Sequence, residues 1–197
     1  MLLSISAMNN LHIHQMDITN AFPNALLKEN IYMSAIPGYP LGSNKVLKLN
    51  KALYGLKQSP KEWNTLMNDF IISLKFLQCN DDKCIYMLKY NNDKDMIYIG
   101  LYVDDIIIAG SNITVINRIK KQIADRFACK DMGEIGQYLG IQITRNRNNK
   151  SLTITMKQYI DKMLFTFGMS ECNTRSSPIE YKCIPTYDMC PTEHDDI

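Results

Sequence analysis

Three aspartates in this chain stand beside apolar runs, where a carboxylate is costly unless it serves a purpose. Asp104 and Asp105 are adjacent and separate two strongly apolar segments, and Asp17 ends a third. Burying an unpaired charge is unfavourable, whereas carboxylate oxygens are the ligands that Mg²⁺ prefers. Two such ions about 3.5–4 Å apart can clamp an in-line displacement at phosphorus. The residue types therefore predict metal-assisted phosphoryl transfer.

The Asp-Asp pair has a simpler interpretation as an ordinary turn or a helix cap, and for an isolated pair that interpretation is the more common one. The flanking sequence argues for more than a turn. Met96–Tyr102 and Ile106–Ala109 both favour strands, so they predict a hairpin with the two carboxylates at its end. Leu11–Ile18 predicts another strand, which contains Asp17 near its end.

The rest of the chain supplies the elements that would hold these carboxylates in place. Turn residues predict a turn and short helix over Asn20–Asn30, a loop over Pro37–Gly42 and a polar turn over Asn91–Asp95. Periodicity predicts strands over Val46–Leu49 and Cys84–Tyr90 and a helix over Val115–Phe127. A hairpin of Tyr138–Thr144 with Ser151–Thr155 is predicted next, and then a helix over Met156–Phe167 with Gly168 as its C-cap. From Glu171 onwards the pattern predicts no regular element.

The best-defined helix is predicted to begin at Ser59. Ser59 is placed as the N-cap, Pro60 as the first helical residue and Glu62 as the partner in a capping box. Apolar residues then recur at helical spacing, which indicates core packing rather than a ligand site. They are Trp63, Leu66, Met67, Phe70, Ile71 and Leu74.

The order of elements is strand, helix, two strands, helix, strand. This order is typical of the split β-α-β pattern of a ferredoxin-like, α+β fold, in which an antiparallel sheet has helices on one face. In that arrangement the end of the first strand lies beside the end of the central hairpin. The topology therefore predicts that Asp17 lies close to Asp104 and Asp105.

The bulk composition describes an ordinary globular chain. It has 197 residues, 46% hydrophobic and 21% charged, and a net charge of +2 that does not by itself indicate a nucleic-acid partner. No apolar run approaches the ~20 residues of a membrane span and no signal peptide is recognisable, so we expect an intracellular protein without a membrane partner. The six cysteines form no CxxC pair, and Cys183, Cys190 and His194 do not have the spacing of a zinc site.

Five motifs, in order, resemble copia-type LTR retrotransposon reverse transcriptases. His14–Phe22 is similar to the first-aspartate motif, and Leu49–Pro60 is similar to the family's most recognisable segment. Glu29–Met33 and Pro37-Gly38 fall between these two, as they do in the family. Tyr102-Val103-Asp104-Asp105 is similar to the aromatic-x-Asp-Asp box, and Tyr138–Ile143 is similar to the primer-grip hairpin. The resemblance covers roughly Leu2–Ile179, and five ordered motifs are far more specific than a single match.

The resemblance implies an RNA-directed DNA polymerase, a nucleotidyltransferase that uses two Mg²⁺ ions, with Mn²⁺ as the alternative metal. The implied metal site consists of Asp17, Asp104 and Asp105, with the carbonyl of Ile18 as a further ligand. The implied nucleotide-binding residues are Phe22, Tyr54, Gly55 and Lys57, and those at the primer and template are Tyr102, Val103, Leu139 and Gly140. The implied partners are an RNA or DNA template with its primer, deoxynucleoside triphosphates and the other parts of a Pol polyprotein, in a cytoplasmic virus-like particle.

Three of these positions have simpler interpretations that the sequence leaves open. Phe22 is either a steric gate that excludes the ribose 2′-hydroxyl or a core aromatic. Gly55 either lets the backbone approach a nucleotide closely or forms a plain turn before the helix. Val103 either lies under the primer end or packs within the sheet.

The resemblance also implies an architecture and leaves two alternatives to an active enzyme. It implies a polymerase palm with a remnant of the fingers over residues 1–155, the start of a thumb helix over 156–170 and an irregular tail over 171–197, with the fingers largely missing. Phe22-Pro23-Asn24-Ala25 departs from the family's Phe-Leu-Asn-Gly, and alanine in place of that glycine predicts strain. The alternatives are a catalytically inactive retroelement relic and a nucleic-acid-binding module without chemistry.

Overall fold

A six-stranded antiparallel sheet carries the segment that contains Asp104 and Asp105. The computed structural model describes residues 1–39, 42, 44–92, 95–177 and 186, and the chain divides into one unit of Met1–Met156 and another of Lys157–Ile197.

The helices of the first unit are α1 (Leu2–Met8), α2 (Ser59–Ser73) and α3 (Ile113–Arg126), with a 3-10 turn at Phe22–Asn24. Its strands are β1 (His12–Ile18), β2 (Leu26–Met33), β3 (Leu47–Lys51), β4 (Leu77–Gln78), β5 (Ile85–Tyr90), β6 (Asp95–Tyr102), β7 (Asp105–Gly110), β8 (Cys129–Glu134), β9 (Gln137–Tyr138), β10 (Ile141–Asn146) and β11 (Ser151–Thr155). The second unit contains α4 (Lys157–Thr166).

The strand order in the large sheet is β4-β5-β6-β7-β1-β8, and neighbouring strands are antiparallel. The four strands β6-β7-β1-β8, with α2 after β1 and α3 after β7, have the order of a split β-α-β arrangement. Its last strand is β8, whereas the strand predicted over Tyr138–Thr144 lies in a separate sheet. β4 and β5 extend the large sheet beyond β6. Two smaller sheets, β11-β10-β9 and β2-β3, complete the first unit. The predicted α+β class with a mainly antiparallel sheet is therefore confirmed.

α2 and α3 cover one face of the large sheet because their apolar side chains recur at helical spacing. These side chains are almost fully buried and pack against alternate residues of the central strands. The helix residues are Trp63, Met67, Ile71, Ile116, Ile119 and Ile123, and the strand residues include Met16, Ile99, Ile106 and Ile108. The apolar stripe predicted for α2 is therefore core packing.

The opposite face of the sheet is buried too, which the sequence analysis did not predict. Ile13 of β1 and Ile107 of β7 pack there with Ile143 of β10. Leu2 and Leu3 of α1 lie against the same cluster. Because β7 is covered on both faces, its apolar run is continuous instead of alternating with polar residues. The helices predicted on one face are present, and α1 with the β10–β11 hairpin covers the other.

Two predicted elements are wrong. The short helix predicted within Asn20–Asn30 is only the turn Phe22–Asn24, and β2 follows it because pairing with β3 satisfies the backbone of that segment. The strand predicted over Tyr138–Thr144 is broken into β9 and β10. Tyr138 pairs with Ile141, so Leu139 and Gly140 form a two-residue turn, and both have positive φ, 48° and 80°.

The predicted capping box at the start of α2 is also wrong. Gln58 is the N-cap, and Ser59 is the first helical residue. The Ser59 hydroxyl is buried and donates to the carbonyl of Leu53 over 2.6 Å, so the preceding turn satisfies it. Glu62 forms an ion pair with Lys28 of β2 at 3.3 Å instead of bonding to the backbone of the cap.

α4 ends at the predicted glycine. Gly168 has a φ of 65°, and the N–H groups of Gly168 and Met169 donate to the carbonyls of Phe165 and Leu164 over 3.1 and 2.7 Å. This is the hydrogen-bond pattern of a helix closed by a left-handed residue, and the C-cap prediction is confirmed.

Parts of several predictions lie outside the described residues. They are Pro40 and Leu41 of the predicted loop, Asp93 and Lys94 of the polar turn, and most of the predicted tail, including Cys183, Cys190 and His194. In the described part of the chain, no helix combines the length and apolar character needed to cross a membrane.

His12 and His14 of β1 make the stability of the fold depend on pH. Burial lowers the pKa of both imidazoles from 6.5, and the cations of Arg147 beside His12 and Lys120 beside His14 lower it further. Glu134 near both rings and Asp131 near His14 act in the opposite direction, but more weakly. The unfolded chain therefore takes up protons below pH 6.5 that the folded chain resists, so stability is complete above that pH and declines below it.

We expect the urea midpoint of unfolding to fall when the pH is lowered from about 7.5 to about 5.5. In a double variant, His12→Gln with His14→Gln, most of this slope should disappear because neither of the imidazoles with a lowered pKa remains to take up the protons. Unfolding curves of both proteins across this range would measure the effect. An unchanged slope in the double variant would show that other groups are responsible.

Candidate active site

Asp17 and Asp105 lie directly opposite each other on neighbouring strands. They are paired in the β1–β7 ladder, next to the end of β1. Tyr102 of β6 also pairs with Asp105, so Val103 and Asp104 form a two-residue turn. We call Tyr102–Asp105 the hairpin tip. The N–H of Ile18 donates to the carbonyl of Asp104 over 2.8 Å and ties β1 to this tip. The predicted proximity of the three aspartates is therefore confirmed.

Strand alternation directs the paired carboxylates to the sheet face away from α2 and α3. Residues two apart on a strand share a face, and Ile13 and Ile107, which belong to the core on that side, are in phase with Asp17 and Asp105. Gln15, between Ile13 and Asp17 in this alternation, donates from Nε2 to Asp105 Oδ1 over 3.2 Å. A buried amide therefore holds one carboxylate oxygen.

The electrostatic environment of Asp105 is unfavourable for its negative charge. Burial raises the pKa of Asp105 most, the hydrogen bond from Gln15 lowers it, and the charges of Asp104 and Asp17 raise it again. Tyr138 is affected by the same cluster: burial first, and then the charge of Asp105, raise the pKa of its hydroxyl to about 12. A cation among the carboxylates would relieve their mutual repulsion.

The donor set at the tip fits a hard divalent cation. Asp17, Asp104 and Asp105 offer carboxylate oxygens only, which suits Mg²⁺ better than a soft metal. Across the described ranges, no three His, Cys, Asp or Glu side chains are gathered closely enough to hold one ion as they stand. The backbone thus brings the three carboxylates together, and their side chains would have to rotate to share a metal.

Val103 at the hairpin tip has an unusual backbone. Its φ is 55°, in the left-handed region that β-branched residues rarely adopt. Such a conformation costs on the order of 1–3 kcal/mol and persists only where neighbouring groups impose it. Trp63 of α2 supplies one such group, because its indole Nε1 donates to the Val103 carbonyl over 2.6 Å. Val103 is 37% exposed, so the predicted alternative of packing within the sheet does not describe it.

Phe22 and Tyr54 form an aromatic pair beside the carboxylates. Their ring centroids are 4.4 Å apart, with Phe22 buried in the core and Tyr54 exposed. Burial raises the pKa of the Tyr54 hydroxyl most, followed by the charge of Asp104, while a hydrogen bond with the Ala21 backbone lowers it. Phe22 is thus a core aromatic, as one interpretation predicted. Its role as a steric gate stays a prediction.

The departure at Pro23 and Ala25 causes no strain. Pro23 lies in the first turn of the 3-10 segment Phe22–Asn24, where a missing N–H is tolerated. Ala25 has φ −88° and ψ 141°, an extended conformation open to any residue. The strain expected for alanine at this position is therefore absent, so this departure does not favour the alternative of a catalytically inactive relic.

Gly55 and Lys57 lie in the exposed segment that precedes α2. Gly55 has a φ of 93°, and a Cβ built on it would meet no atom within 4 Å. The backbone conformation alone explains the glycine, as expected for a turn, and the open space beside it leaves room for a ligand. Both interpretations of Gly55 are compatible with this geometry.

We expect Gly55→Ala to lower the free energy of unfolding by about 1–2 kcal/mol, because an L-residue is strained at this φ. Gly136→Ala is the matched control, since Gly136 also has open space around it but no positive φ. Urea unfolding would compare the two. Equal effects would show that the backbone at Gly55 can relax.

The residues predicted at primer and template occupy two turns. Tyr102 and Val103 belong to the hairpin tip, and Leu139 and Gly140 form the β9–β10 turn. Tyr102 and Tyr138 both line one cavity of about 370 Å³, which also reaches Gly100 and Ile107. Tyr138, which precedes the β9–β10 turn, therefore lies across this cavity from Tyr102 of the hairpin tip.

Two residues with contacts to the tip were not predicted. Gln15 was part of a motif without a role, and Trp63 was assigned to the core alone. Each carried a signal: Gln15 is in phase with the apolar residues Leu11 and Ile13, so it faces the interior, and a buried indole N–H requires an acceptor. The sequence did not reveal which partners they bind, because both partners lie far away in the chain.

Comparison with known proteins identifies the relatives of this chain. The family described as reverse transcriptase (RNA-dependent DNA polymerase) matches residues 1–181. The Pol polyprotein from transposon TNT 1-94 of Nicotiana tabacum is 34% identical over 97% of this chain, and that from transposon RE1 of Arabidopsis thaliana is 32% identical over 85%. The transposon Ty1-BL Gag-Pol polyprotein of Saccharomyces cerevisiae is 32% identical over 74%. The matched regions are only 14%, 11% and 8% of these polyproteins.

Proposed function

This chain belongs to the reverse transcriptase (RNA-dependent DNA polymerase) family, within the copia-type retrotransposon branch, and from that premise we propose that it catalyses template-directed addition of deoxynucleotides to a primer. The family match covers residues 1–181. The mechanism, the metal and the activity of this chain are the parts that we propose beyond family membership.

Asp17, Asp104, Asp105 and the Ile18 carbonyl are the proposed metal-binding groups. When bound there, two Mg²⁺ ions, or Mn²⁺ in their place, supply activation of the primer 3′-hydroxyl and charge neutralisation at the departing pyrophosphate. The contribution of the chain itself is preorganisation. The β1–β7 register and the Ile18–Asp104 hydrogen bond fix the backbone that carries the carboxylates before substrate arrives, so only their side chains need to rotate around a metal. Such positioning is a main source of rate in this chemistry.

The proposed nucleotide site lies around the Phe22–Tyr54 pair. Tyr54 is exposed beside Asp104, so its ring can contact a base or sugar, and Phe22 would limit space at the ribose 2′ position. Gly55 leaves open space at its turn, and the exposed Lys57 offers a positive charge to the triphosphate. Each of these roles is a proposal supported by proximity and chemistry.

The proposed primer and template contacts come from the two turns, Tyr102-Val103 and Leu139-Gly140. We propose that the first unit is a polymerase palm and that α4 begins a thumb. The remaining parts of a Pol polyprotein would then act together with this chain, in a cytoplasmic virus-like particle. The names of the relatives as Pol polyproteins support the other polyprotein parts, and the cytoplasmic particle stays a prediction.

One observation carries the proposal: the cross-strand pairing of Asp17 with Asp105, next to Asp104 in the turn. Like charges directly opposite each other destabilise a sheet. The pairing of Asp17, next to the end of β1, with Asp105, the first residue of β7, therefore favours a site that gathers cations.

Primer extension on an RNA template with Mg²⁺ tests the proposed function. The wild-type chain should extend the primer, and Asp104→Asn should not. Asp125→Asn, which removes an exposed carboxylate from α3, is the charge-matched control and should behave as wild type. If the wild-type chain binds primer and template without extending the primer, the relic and binding-module alternatives replace this proposal.

A further inference from the structure

The hairpin tip depends on a donor from outside the carboxylate cluster. The peptide on the N-terminal side of Asp104 has its carbonyl on Val103, and this oxygen accepts the indole N–H of Trp63 over 2.6 Å. The peptide on the C-terminal side has its carbonyl on Asp104, which accepts the N–H of Ile18 over 2.8 Å. Both peptide planes around Asp104 are therefore held by hydrogen bonds.

The first of these bonds matters more because the backbone beside it is strained. Val103 is a β-branched residue with a φ of 55°. The two-residue turn between Tyr102 and Asp105 favours this positive φ, and without the bond to the Val103 carbonyl the strained turn is freer to rotate Val103 towards a negative φ. That rotation would change the direction in which the Cα–Cβ bond of Asp104 points. The indole donor thus opposes the relaxation that would misplace a carboxylate.

Trp63 is itself held firmly enough for this task. It is 1% exposed, and its ring makes an edge contact with Phe127 at a centroid distance of 5.4 Å. Phe70 packs edge-on against the same Phe127 ring at 5.2 Å. The indole therefore has one position, and α2 transmits that position to the tip.

We propose that Trp63 is a positioning residue for the carboxylate site: its indole N–H fixes the Val103–Asp104 peptide and so presents Asp104 for metal binding together with Asp17 and Asp105. This inference rests on the proposed function, because it gives Trp63 a part in the same site. It differs from a packing role, since packing requires the ring but not the N–H.

Metal binding by itself distinguishes these roles. Trp63→Phe removes the donor and keeps an aromatic ring. Tyr86→Phe is the matched control, because Tyr86 is fully buried in the same core and its hydroxyl donates to Asn68 of α2 over 3.1 Å, away from the tip. Met67→Leu is a second control that changes the packing on the same buried face of α2 while keeping both the indole of Trp63 and the Phe127 ring that holds it.

Mn²⁺ is titrated against each protein, and the free ion is measured by its electron paramagnetic resonance signal. We expect Trp63→Phe to weaken binding about 10-fold or more, as loss of a partner behind a metal ligand does, and both controls to stay within about two-fold. Unchanged binding in Trp63→Phe would overturn the inference. Equal weakening in the controls would also overturn it and leave a packing role.

The wild-type chain offers a second measurement if Trp63→Phe does not fold. Trp63 is the only tryptophan in the sequence, so fluorescence excited at a wavelength that tyrosine does not absorb reports this position alone. Adding Mg²⁺ should shift or quench the emission, and Asp104→Asn should remove that response. Emission that ignores Mg²⁺ would overturn the inference, because a cation bound beside the Val103–Asp104 peptide changes the electric field at the indole that bonds to this peptide.

The two proposals fail in different ways. Wild-type protein that binds Mn²⁺ but does not extend a primer contradicts the proposed function and leaves the role of Trp63 to be decided by the variants. Wild-type protein that extends a primer, with Trp63→Phe equal to it in metal binding, contradicts the role of Trp63 alone. If the wild-type chain binds no Mn²⁺, both are wrong.

Discussion

Asp105→Asn should abolish primer extension while leaving the folded chain as stable as the wild type or slightly more stable. The substitution removes a negative charge that is partly buried and lies opposite Asp17. Relief from a like-charge pair across a ladder is worth about 0.2–1 kcal/mol. The amide that replaces the carboxylate is nearly isosteric, and its oxygen still accepts the Gln15 hydrogen bond. Activity should fall by at least ~10²–10³-fold, because one charged group of the site is lost.

The opposite signs of these two effects make the experiment informative. Extension rates and urea unfolding are measured on Asp105→Asn and on Asp125→Asn, whose carboxylate is exposed on α3. The control should keep both its activity and its stability. If Asp105→Asn loses stability together with activity, Asp105 supports the fold and its assignment to the site is wrong.

Ile71→Ala should be among the most destabilising single substitutions in the chain. Ile71 lies on the buried side of α2, is 1% exposed and packs in the core between that helix and the sheet. Truncating a buried isoleucine to alanine loses the transfer free energy of the removed carbons and leaves a cavity, together about 2–5 kcal/mol. That is a large fraction of the stability of an ordinary domain.

The neighbouring residue is the matched control for this prediction. Ile72 is 42% exposed on the same helix, so Ile72→Ala removes the same atoms with little change in buried area. Its effect should stay within about 0.5 kcal/mol. Chemical unfolding of the two variants should give clearly different midpoints. Similar midpoints would mean that α2 does not dock on the sheet through the face that contains Ile71.

The elements predicted correctly are those with a strong internal period or a clear turn. α3 and α2 have apolar stripes, and β6 and β7 flank a carboxylate pair in a hairpin. β8 was missed because its sequence, CKDMGE, has no apolar alternation. It is a strand only because β1 offers an unpaired edge. α1 was missed because its seven residues are too few to show a helical repeat of apolar residues. Such a short helix is stabilised by its packing against the sheet.

The proximity of the carboxylates could be predicted because it follows from topology. Once the strand order is inferred, Asp17 must lie next to the turn that contains Asp104. The contacts of Gln15 and Trp63 could not be predicted in this way. Both are side-chain hydrogen bonds that span large sequence separations, and their geometry depends on how α2 and β7 pack. Pattern and propensity contain no information about such distances.

The position of β1 has a consequence for synthesis of the chain on the ribosome. β1 pairs with β7 on one side and with β8 on the other, and both partners follow it late in the sequence. At roughly 5–20 residues per second, translation of the intervening chain takes several seconds. During that time both edges of β1, whose Ile13, Met16 and Ile18 are buried in the finished fold, lack their sheet partners, so the nascent chain carries unpaired strand edges that can associate with other chains. The carboxylate cluster of Asp17, Asp104 and Asp105 is accordingly assembled late in folding, and a ribosome-bound chain without β8 cannot yet complete the sheet that supports it.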